Sequence, residues 1–267
     1  MIEIHIDPVA FTIGPLEVRW YGIMVALAIL TVVLWTAWQV RKGARITYDT
    51  VFAAALVGIP SGLVLARLLH VIDVWEYYGQ HPAEIIGGGG LTAYGAVLGA
   101  ALGIWVYSRF SHLNFNYFAD VVAPGIILAQ AIGRVGCTLN GCCYGLEAVL
   151  PWSIVYTDPD SFCPVGVPVH PAQVYEIIWN LIVFGILVAL KGRLKPDGSI
   201  FLLYLSLYSV YRFGTDFLRE GSPFLFGLHQ AQFIAVVVLA IAVPIMVMRT
   251  RWVSKRSADM DNDGDNS

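Results

Sequence analysis

The chain has 267 residues, 57% of them hydrophobic and only 13% charged, with a formal net charge of −3. Soluble globular domains carry about 25% charged residues, so this composition excludes a water-soluble enzyme and points to an all-α, polytopic integral membrane protein. The small net charge decides little, because in such a protein the placement of charge matters more than its sum.

The start, MIEIHIDPVAFTIGPLEV, lacks the basic n-region and small-residue cleavage site of a signal peptide, so the first apolar run is expected to remain as a span. A membrane helix needs about 20 mostly apolar residues. Seven segments qualify, at 20–40, 51–72, 92–108, 119–137, 173–190, 198–218 and 228–249. The first, second and seventh are clear. The third is short and Gly-rich, and the fourth carries Pro124 and several small residues, which let helices approach closely in lipid. The fifth and sixth are joined by KGRLKPDG, a tight connection with a turn signal at Pro196–Gly198. Residues 1–255 read as one transmembrane domain and 256–267 as an acidic, solvated, disordered tail.

Basic residues set the orientation. Arg41, Lys42 and Arg45, then Arg109, then Lys191, Arg193 and Lys195, then Arg249, Arg251, Lys255 and Arg256 account for eleven of the sixteen Lys and Arg. All eleven fall on alternate connections, while 73–91 and 138–172 contain none. The positive-inside rule puts the eleven in the cytoplasm, the N-terminus outside and the C-terminus inside.

The other five, Arg19, Arg67, Arg134, Arg212 and Arg219, lie within spans or at their outer ends. A charge at the bilayer centre costs about 2.5–3.5 kcal/mol on insertion scales, so such a residue faces a cavity or a partner. Arg19 and Arg219 read as snorkelling side chains or as part of a site. Arg67 reads as a tie to Asp73 or another carboxylate. Arg212 and Asp216, four apart, share a helical face and read either as an ion pair orienting the helix or as part of an anion site near the outer leaflet. Arginine suits phosphate because its planar fork donates two parallel hydrogen bonds, and the commonest phosphate in a membrane is a lipid headgroup. Gly87–Gly90 and the glycines at 133, 136, 141 and 145 read as a mobile loop or, with the arginines, as the irregular lining of a polar pocket.

Cys137, Cys142, Cys143 and Cys163 fall at or beyond the outer boundary, an oxidising compartment, and read either as a disulfide from Cys163 to Cys142 or Cys143 or as small buried residues. The spacing C-x4-C-C has no C-x2-C pair, so no metal site is expected. His170, Gln173, Tyr175 and Glu176 gather around Pro171 at the start of the fifth segment and read as a cap and helix anchor.

These residues carry a resemblance. GRVGCTLNGCCYG (133–145) is similar to the signature G-R-x-G-N-F-x-N-x-E-x-x-G of the bacterial prolipoprotein diacylglyceryl transferases. HPAQVYE (170–176) is similar to the family's H-P-S-Q-L-Y-E, and Tyr208, Arg212, Asp216 and Arg219 to its Y-x3-R-x3-E-F-x-R. Cys137 and Cys142 stand where the signature has Asn and Glu, Tyr94 where the family has a histidine, and Asp216 where it has a glutamate. The resemblance implies an enzyme that moves the diacylglyceryl group of phosphatidylglycerol onto the lipobox cysteine of a preprolipoprotein, forming a thioether and releasing glycerol phosphate.

On this reading Arg134 and Arg212 hold the lipid phosphate, Asp216 orients Arg212, and Tyr21, Asn140, Gly145 and Tyr208 shape the headgroup pocket. Tyr94 is the base or a positioning group. The expected partners are phosphatidylglycerol, preprolipoprotein signal peptides and the lipid bilayer of the bacterial inner membrane, with the site towards the outer leaflet. No nucleic acid, metal, nucleotide or other cofactor is expected. The alternatives are a relative serving another acceptor, a non-catalytic lipid-binding protein that lost the base, and a thiol redox protein built on Cys142 and Cys143.

Overall fold

The computed structural model describes residues 1–87, 90–219, 224–225 and 227–253. The acidic tail expected over 256–267, and Gly88 and Gly89, lie outside the described residues. The helices are α1 (Trp20–Arg41), α2 (Tyr48–Asp73), α3 (Trp75–Tyr78), α4 (Glu84–Gly87), α5 (Ala93–Phe110), α6 (Phe115–Asn140), α7 (Ala172–Leu190), α8 (Ser199–Thr215) and α9 (Gln230–Arg249). A 3-10 turn, Asp216–Leu218, follows α8. Each apolar segment read from the sequence coincides with one long helix, with ends shifted by at most four residues. Among the described residues, α1, α2, α6, α7 and α9 are long and apolar enough to cross a membrane.

Short strands were not legible in the sequence. β1 (Ile2–Ile4) pairs in parallel with β4 (Ile154–Tyr156), which pairs antiparallel with β5 (Pro168–Val169). β2 (Val9–Ile13) and β3 (Leu16–Arg19) form a hairpin, and β6 (Leu194–Lys195) meets β7 (Arg251–Trp252). The runs of two or three residues carry no periodic signal, and the partners of β1 and β6 lie far along the chain; β2 and β3 are longer and local, and lie in a stretch read only as the lead-in to the first span.

The chain divides into two compact units. In the unit Thr36–Phe118, α2 and α5 cross at close range because glycines face one another. A Cβ on Gly99 would stand 2.4 Å from the Ser61 carbonyl oxygen and 2.9 Å from Gly62 Cα. This is the small-residue packing that lets backbones touch in lipid. Thr47 caps α2, its Oγ1 accepting from the Thr50 N–H at 3.2 Å.

The other unit comprises the described residues of Met1–Trp35 and Ala119–Ser267. Its apolar centre joins α6, α7 and α8 through Ala123, Ile127, Val183, Leu187, Ile200 and Tyr204. A second apolar cluster, Ile154, Tyr156, Cys163 and Val169, lies on the small sheet, and the Tyr156 hydroxyl donates to the Thr138 carbonyl at 2.9 Å, tying the sheet to the end of α6.

At the other end of α6, Asp120 caps α8. Its carboxylate accepts from the Gly198 and Phe201 N–H groups, both at 2.8 Å, a charge-assisted arrangement at a helix N-terminus. Asp120→Asn replaces one acceptor oxygen by a donor facing a donor. It is expected to lower unfolding stability by about 1–3 kcal/mol. Activity should be retained by the folded fraction, since Arg134 lies about 21 Å along the helix. Thermal unfolding in detergent micelles, with an activity measurement alongside, checks both.

Candidate functional site

The site grows from the last turns of α6. Arg134 Nε donates to Glu176 Oε1 at 2.8 Å, and the Tyr208 hydroxyl donates to the same oxygen at 3.3 Å. Glu176 stands on α7 in a buried row with Gln173 and Asn180, continued by Val183 and Leu187. The steps of three and four residues put this polar row on one face of an otherwise apolar helix. A buried carboxylate is tolerated only when paired, and here Arg134 and Tyr208 supply the pairing.

A second charged group stands on α8. Arg212 Nη2 lies 3.1 Å from Asp216 Oδ1, at the helical i,i+4 spacing. The other oxygen of Asp216 lies 2.9 Å from His229 Nδ1, just before α9. Exposure separates holders from held. Arg134 and Arg212 keep 19% and 22% of their side-chain surface, whereas Glu176 and Asp216 keep 4% and 6%. The carboxylates are the more deeply buried partners in both pairs. Among the described residues Arg212 Nη1 is buried without a hydrogen-bond partner, as are the Tyr211 hydroxyl, Asn140 Oδ1 and Gln173 Oε1. Tyr208, which donates to the Glu176 oxygen held by Arg134, stands one turn before Arg212 on α8, so the two clusters share one locality.

Asp216→Asn leaves Arg212 with a weaker, neutral acceptor and leaves His229 a partner without charge. The guanidinium loses its fixed orientation, and a fall of about 10–100-fold in the activity of the site is expected, with the larger part in kcat if Arg212 acts on charge that develops during reaction. Steady-state rates of Asp216→Asn and Asp216→Glu, the second restoring the charge, check this.

The chain after Asn140 is folded back by a Schellman cap. The Cys142 N–H donates to the Cys137 carbonyl at 3.1 Å and the Gly141 N–H to the Thr138 carbonyl at 3.4 Å, with Gly141 at φ +69°. That motif brings together the third helical residue from the cap and the second residue beyond it, here Cys137 and Cys142. Cys143, at φ +64°, curls inward as well. The three sulfur atoms lie within 4.8 Å of one another, and Arg134 Nη1 is 3.8 Å from Cys137 Sγ. Hydrogen bonds from Cys137 and Cys142, with the charges of Arg134 and Arg219 adding, pull the Cys143 thiol below its ordinary range. Burial pushes Cys163 up to about 11.

Of the two structural readings of the cysteines the disulfide is not formed, and Cys137 and Cys163 are small buried residues instead. All four cysteines are free, and Cys163 packs in the apolar cluster on the sheet while the other three gather at the cap. From the sequence Arg67 reads as a tie to Asp73 or to another carboxylate. Arg67 donates to the backbone carbonyls of Glu84 at 2.5 Å, Ile85 at 2.8 Å and Gly90 at 3.0 Å, which satisfies the irregular segment before α5. Asp73 accepts from the Tyr94 hydroxyl.

The remaining expected residues are distributed as follows. Tyr21 stands in the first turn of α1, whose backbone crosses α6 at Gly136. A Cβ there would lie 3.4 Å from Tyr21 Cα and 2.8 Å from Met24 Cβ. Asn140 ends α6, and the Gln173 side chain donates to the Cys142 carbonyl at 2.8 Å. The Gly145 N–H donates to the His170 carbonyl at 2.9 Å, and the next N–H, of Leu146, to the Leu218 carbonyl at 2.7 Å. Gly145 therefore joins the approaches to α7 and the end of α8. Tyr94, in the first turn of α5, belongs to the unit Thr36–Phe118 and has Asp73 of that same unit as its partner.

Sequence reasoning missed the central position of Glu176 and the pairing of His229 with Asp216. The first had a signal, since three polar residues spaced by three and four in an apolar helix mark a buried polar face. The second had none, because nothing local links positions 216 and 229.

Residues 8–248 match the family described as prolipoprotein diacylglyceryl transferase. A Dehalococcoides mccartyi protein named "Phosphatidylglycerol--prolipoprotein diacylglyceryl transferase" is 51% identical over 251 residues, covering 94% of this chain and 96% of that one. Proteins of the same name from Symbiobacterium thermophilum and Clostridioides difficile are 37% and 36% identical. They cover 95% and 86% of this chain, and 95% and 90% of their own length.

Proposed function

The chain belongs to the prolipoprotein diacylglyceryl transferase family, and on that footing we propose that it transfers the diacylglyceryl group of phosphatidylglycerol to the cysteine thiol of preprolipoproteins. The thiol sulfur attacks the glyceryl carbon. A C–S bond forms, the C–O bond to phosphate breaks, the thiol proton goes to a base, and glycerol phosphate leaves. The leaving phosphate changes from a singly charged diester to a monoester that gains negative charge. Fixed cations aimed at that oxygen lower the barrier.

The observation that carries this reading is Arg212 Nη1, a buried guanidinium donor without a partner among the described residues, on a side chain whose Nη2 is held by Asp216. A phosphate oxygen is the acceptor such a donor fits. Arg134, with Nε held by Glu176, supplies the second cation, and Tyr208 and Asn140 line the headgroup pocket with Tyr21 and Gly145. Tyr94 is the proton-handling or positioning group, and Asp73, which accepts its hydroxyl proton, supports that role.

The chain is a multi-pass membrane protein. The seven long helices among the described residues and the distribution of basic residues support seven spans with the N-terminus outside, in the bacterial cytoplasmic membrane with the site towards the outer leaflet. The family match runs through both compact units, which supports residues 1–255 as one transferase domain.

The test is transfer of labelled diacylglyceryl from phosphatidylglycerol to a lipobox peptide by the purified protein, beside Tyr94→Phe and Tyr94→His. Activity in the unsubstituted protein, reduced at least about 100-fold in Tyr94→Phe, is the expected result for a group that handles a proton. Activity confined to Tyr94→His would mean that the pocket binds lipid but the unaltered chain lacks its base.

A further inference from the structure

Three thiols meet where the family signature has no cysteine at two of the three places. Cys137 and Cys142 stand at the Asn and Glu positions of that pattern, and Cys143 follows. Their meeting is built by the backbone. The Schellman cap at Asn140–Gly141 fixes Cys137 against Cys142, and the positive φ of Cys143, a conformation that a residue with a side chain adopts rarely, turns a third sulfur to the same point. The three sulfur atoms lie within 4.8 Å of one another. Thiolates arranged tetrahedrally at about 2.3 Å from a zinc ion stand about 3.8 Å apart, so small rotamer adjustments close the set. Beside it, Asn140 Oδ1 is buried without a partner.

We propose that Cys137, Cys142 and Cys143 are the ligands of a thiophilic divalent cation, Zn2+, with a fourth coordination position open. Three protein ligands and one free position are the composition of a reactive zinc site, whereas closed sets of four are structural. The donor set is soft, which selects zinc over magnesium or calcium. Three thiolates around Zn2+ carry one net negative charge, and Arg134 Nη1, 3.8 Å from Cys137 Sγ, stands where it neutralises that charge.

The open position takes the acceptor thiol, an assignment that rests on the transferase reading. On binding, the thiol gives up its proton to the base of that reaction, which the metal makes easier by favouring the thiolate, as metals impose on coordinating thiols. The zinc-held sulfur then forms the C–S bond as the C–O bond to phosphate breaks, and the thioether, a weaker ligand, departs. The same Arg134 touches both the cysteine cluster and the proposed phosphate site, so nucleophile and leaving group are held side by side. This gives the chain a means of forming the thiolate although tyrosine stands at the family's histidine position.

The experiment uses the full-length protein, purified in detergent under reducing conditions. It is loaded with Zn2+, desalted and assayed for bound metal; the same protein loaded with Co2+ is read by absorption. One zinc per chain and a thiolate-to-cobalt charge-transfer band are expected. Both should be retained in Cys163→Ala and lost in Cys142→Ser and Cys143→Ser. A lipobox peptide with its cysteine should shift the cobalt spectrum, and the same peptide with serine should not. Reduced protein that holds no stoichiometric zinc and gives no cobalt–thiolate band overturns the site. So does a disulfide among the three cysteines in protein isolated from membranes, or binding unaffected by the cysteine substitutions. Parallel transfer assays keep the two readings apart. Transfer by metal-free protein sinks the zinc reading and leaves the transferase reading intact, whereas a full cobalt signature without transfer does the reverse.

Discussion

Arg134→Ala is expected to abolish diacylglyceryl transfer, with a loss of at least about 1000-fold. Removing one donor aimed at developing negative charge costs about 100- to 1000-fold, and Arg134 also holds Glu176, the acceptor of the Tyr208 hydroxyl, and lies against Cys137. The substitution has a second effect, which the sequence did not foresee. Glu176 is buried and takes its only ionic partner among the described residues from Arg134, and an unpaired buried charge costs about 3–5 kcal/mol. Loss of activity in Arg134→Ala therefore mixes chemistry with folding. The double variant Arg134→Gln/Glu176→Gln separates them. It replaces an ion pair by two amides of similar shape, so most of the stability should return while transfer stays absent. The checks are thermal unfolding in micelles and the labelled-lipid assay. Activity within tenfold of the unsubstituted protein in the double variant would mean that Arg134 exists to neutralise Glu176 and does not hold phosphate.

Gly145→Ala is expected to reduce transfer about 100-fold and to lower stability by about 1–3 kcal/mol. A Cβ at Gly145 would lie 2.7 Å from both His170 Cβ and the Leu218 carbonyl oxygen. Neither is the tip of a flexible side chain, so backbone has to move, at the cost typical of overpacking. The segment that moves connects the end of α6, the start of α7 and the turn after α8, through the Gly145 bond to His170 and the Leu146 bond to Leu218. Those elements carry Arg134, Glu176 and Asp216. A displacement of about 1 Å between reacting groups is enough for a 100-fold loss. Gly185→Ala on α7, where a Cβ would meet nothing within 4 Å, is the control and should transfer lipid at the unsubstituted rate. Equal activity in Gly145→Ala and Gly185→Ala would show that this junction does not position the site.

The two arginine clusters differ in how far they were legible. Arg212 and Asp216 form the predicted pair because four residues on one helix are a local relation. Arg134 had no local partner, and its carboxylate came from a helix that begins 38 residues later. The cysteines show the same contrast from the other side. A search for C-x2-C spacing found nothing, yet Asn-Gly after an apolar helix is a cap signal, and that cap places Cys137 against Cys142. Local chemistry contained the cluster, but only when read as backbone geometry. The disulfide reading of Cys163 failed for a non-local reason, since the sheet formed by β1, β4 and β5 draws that thiol into its apolar face.

What the sequence determined by itself is the solvent and the helices. The cost of leaving backbone polar groups unpaired in hydrocarbon forces each apolar run of about 20 residues into a helix, and the same cost marks every arginine within a run as a residue that needs a partner. The tertiary structure alone decided who the partners are. Glu176 rather than a nearer carboxylate meets Arg134, His229 takes the second oxygen of Asp216, Tyr94 takes Asp73, and backbone carbonyls take Arg67. Those choices depend on which faces of distant helices meet, and hydropathy, being a property of single segments, contains no record of them.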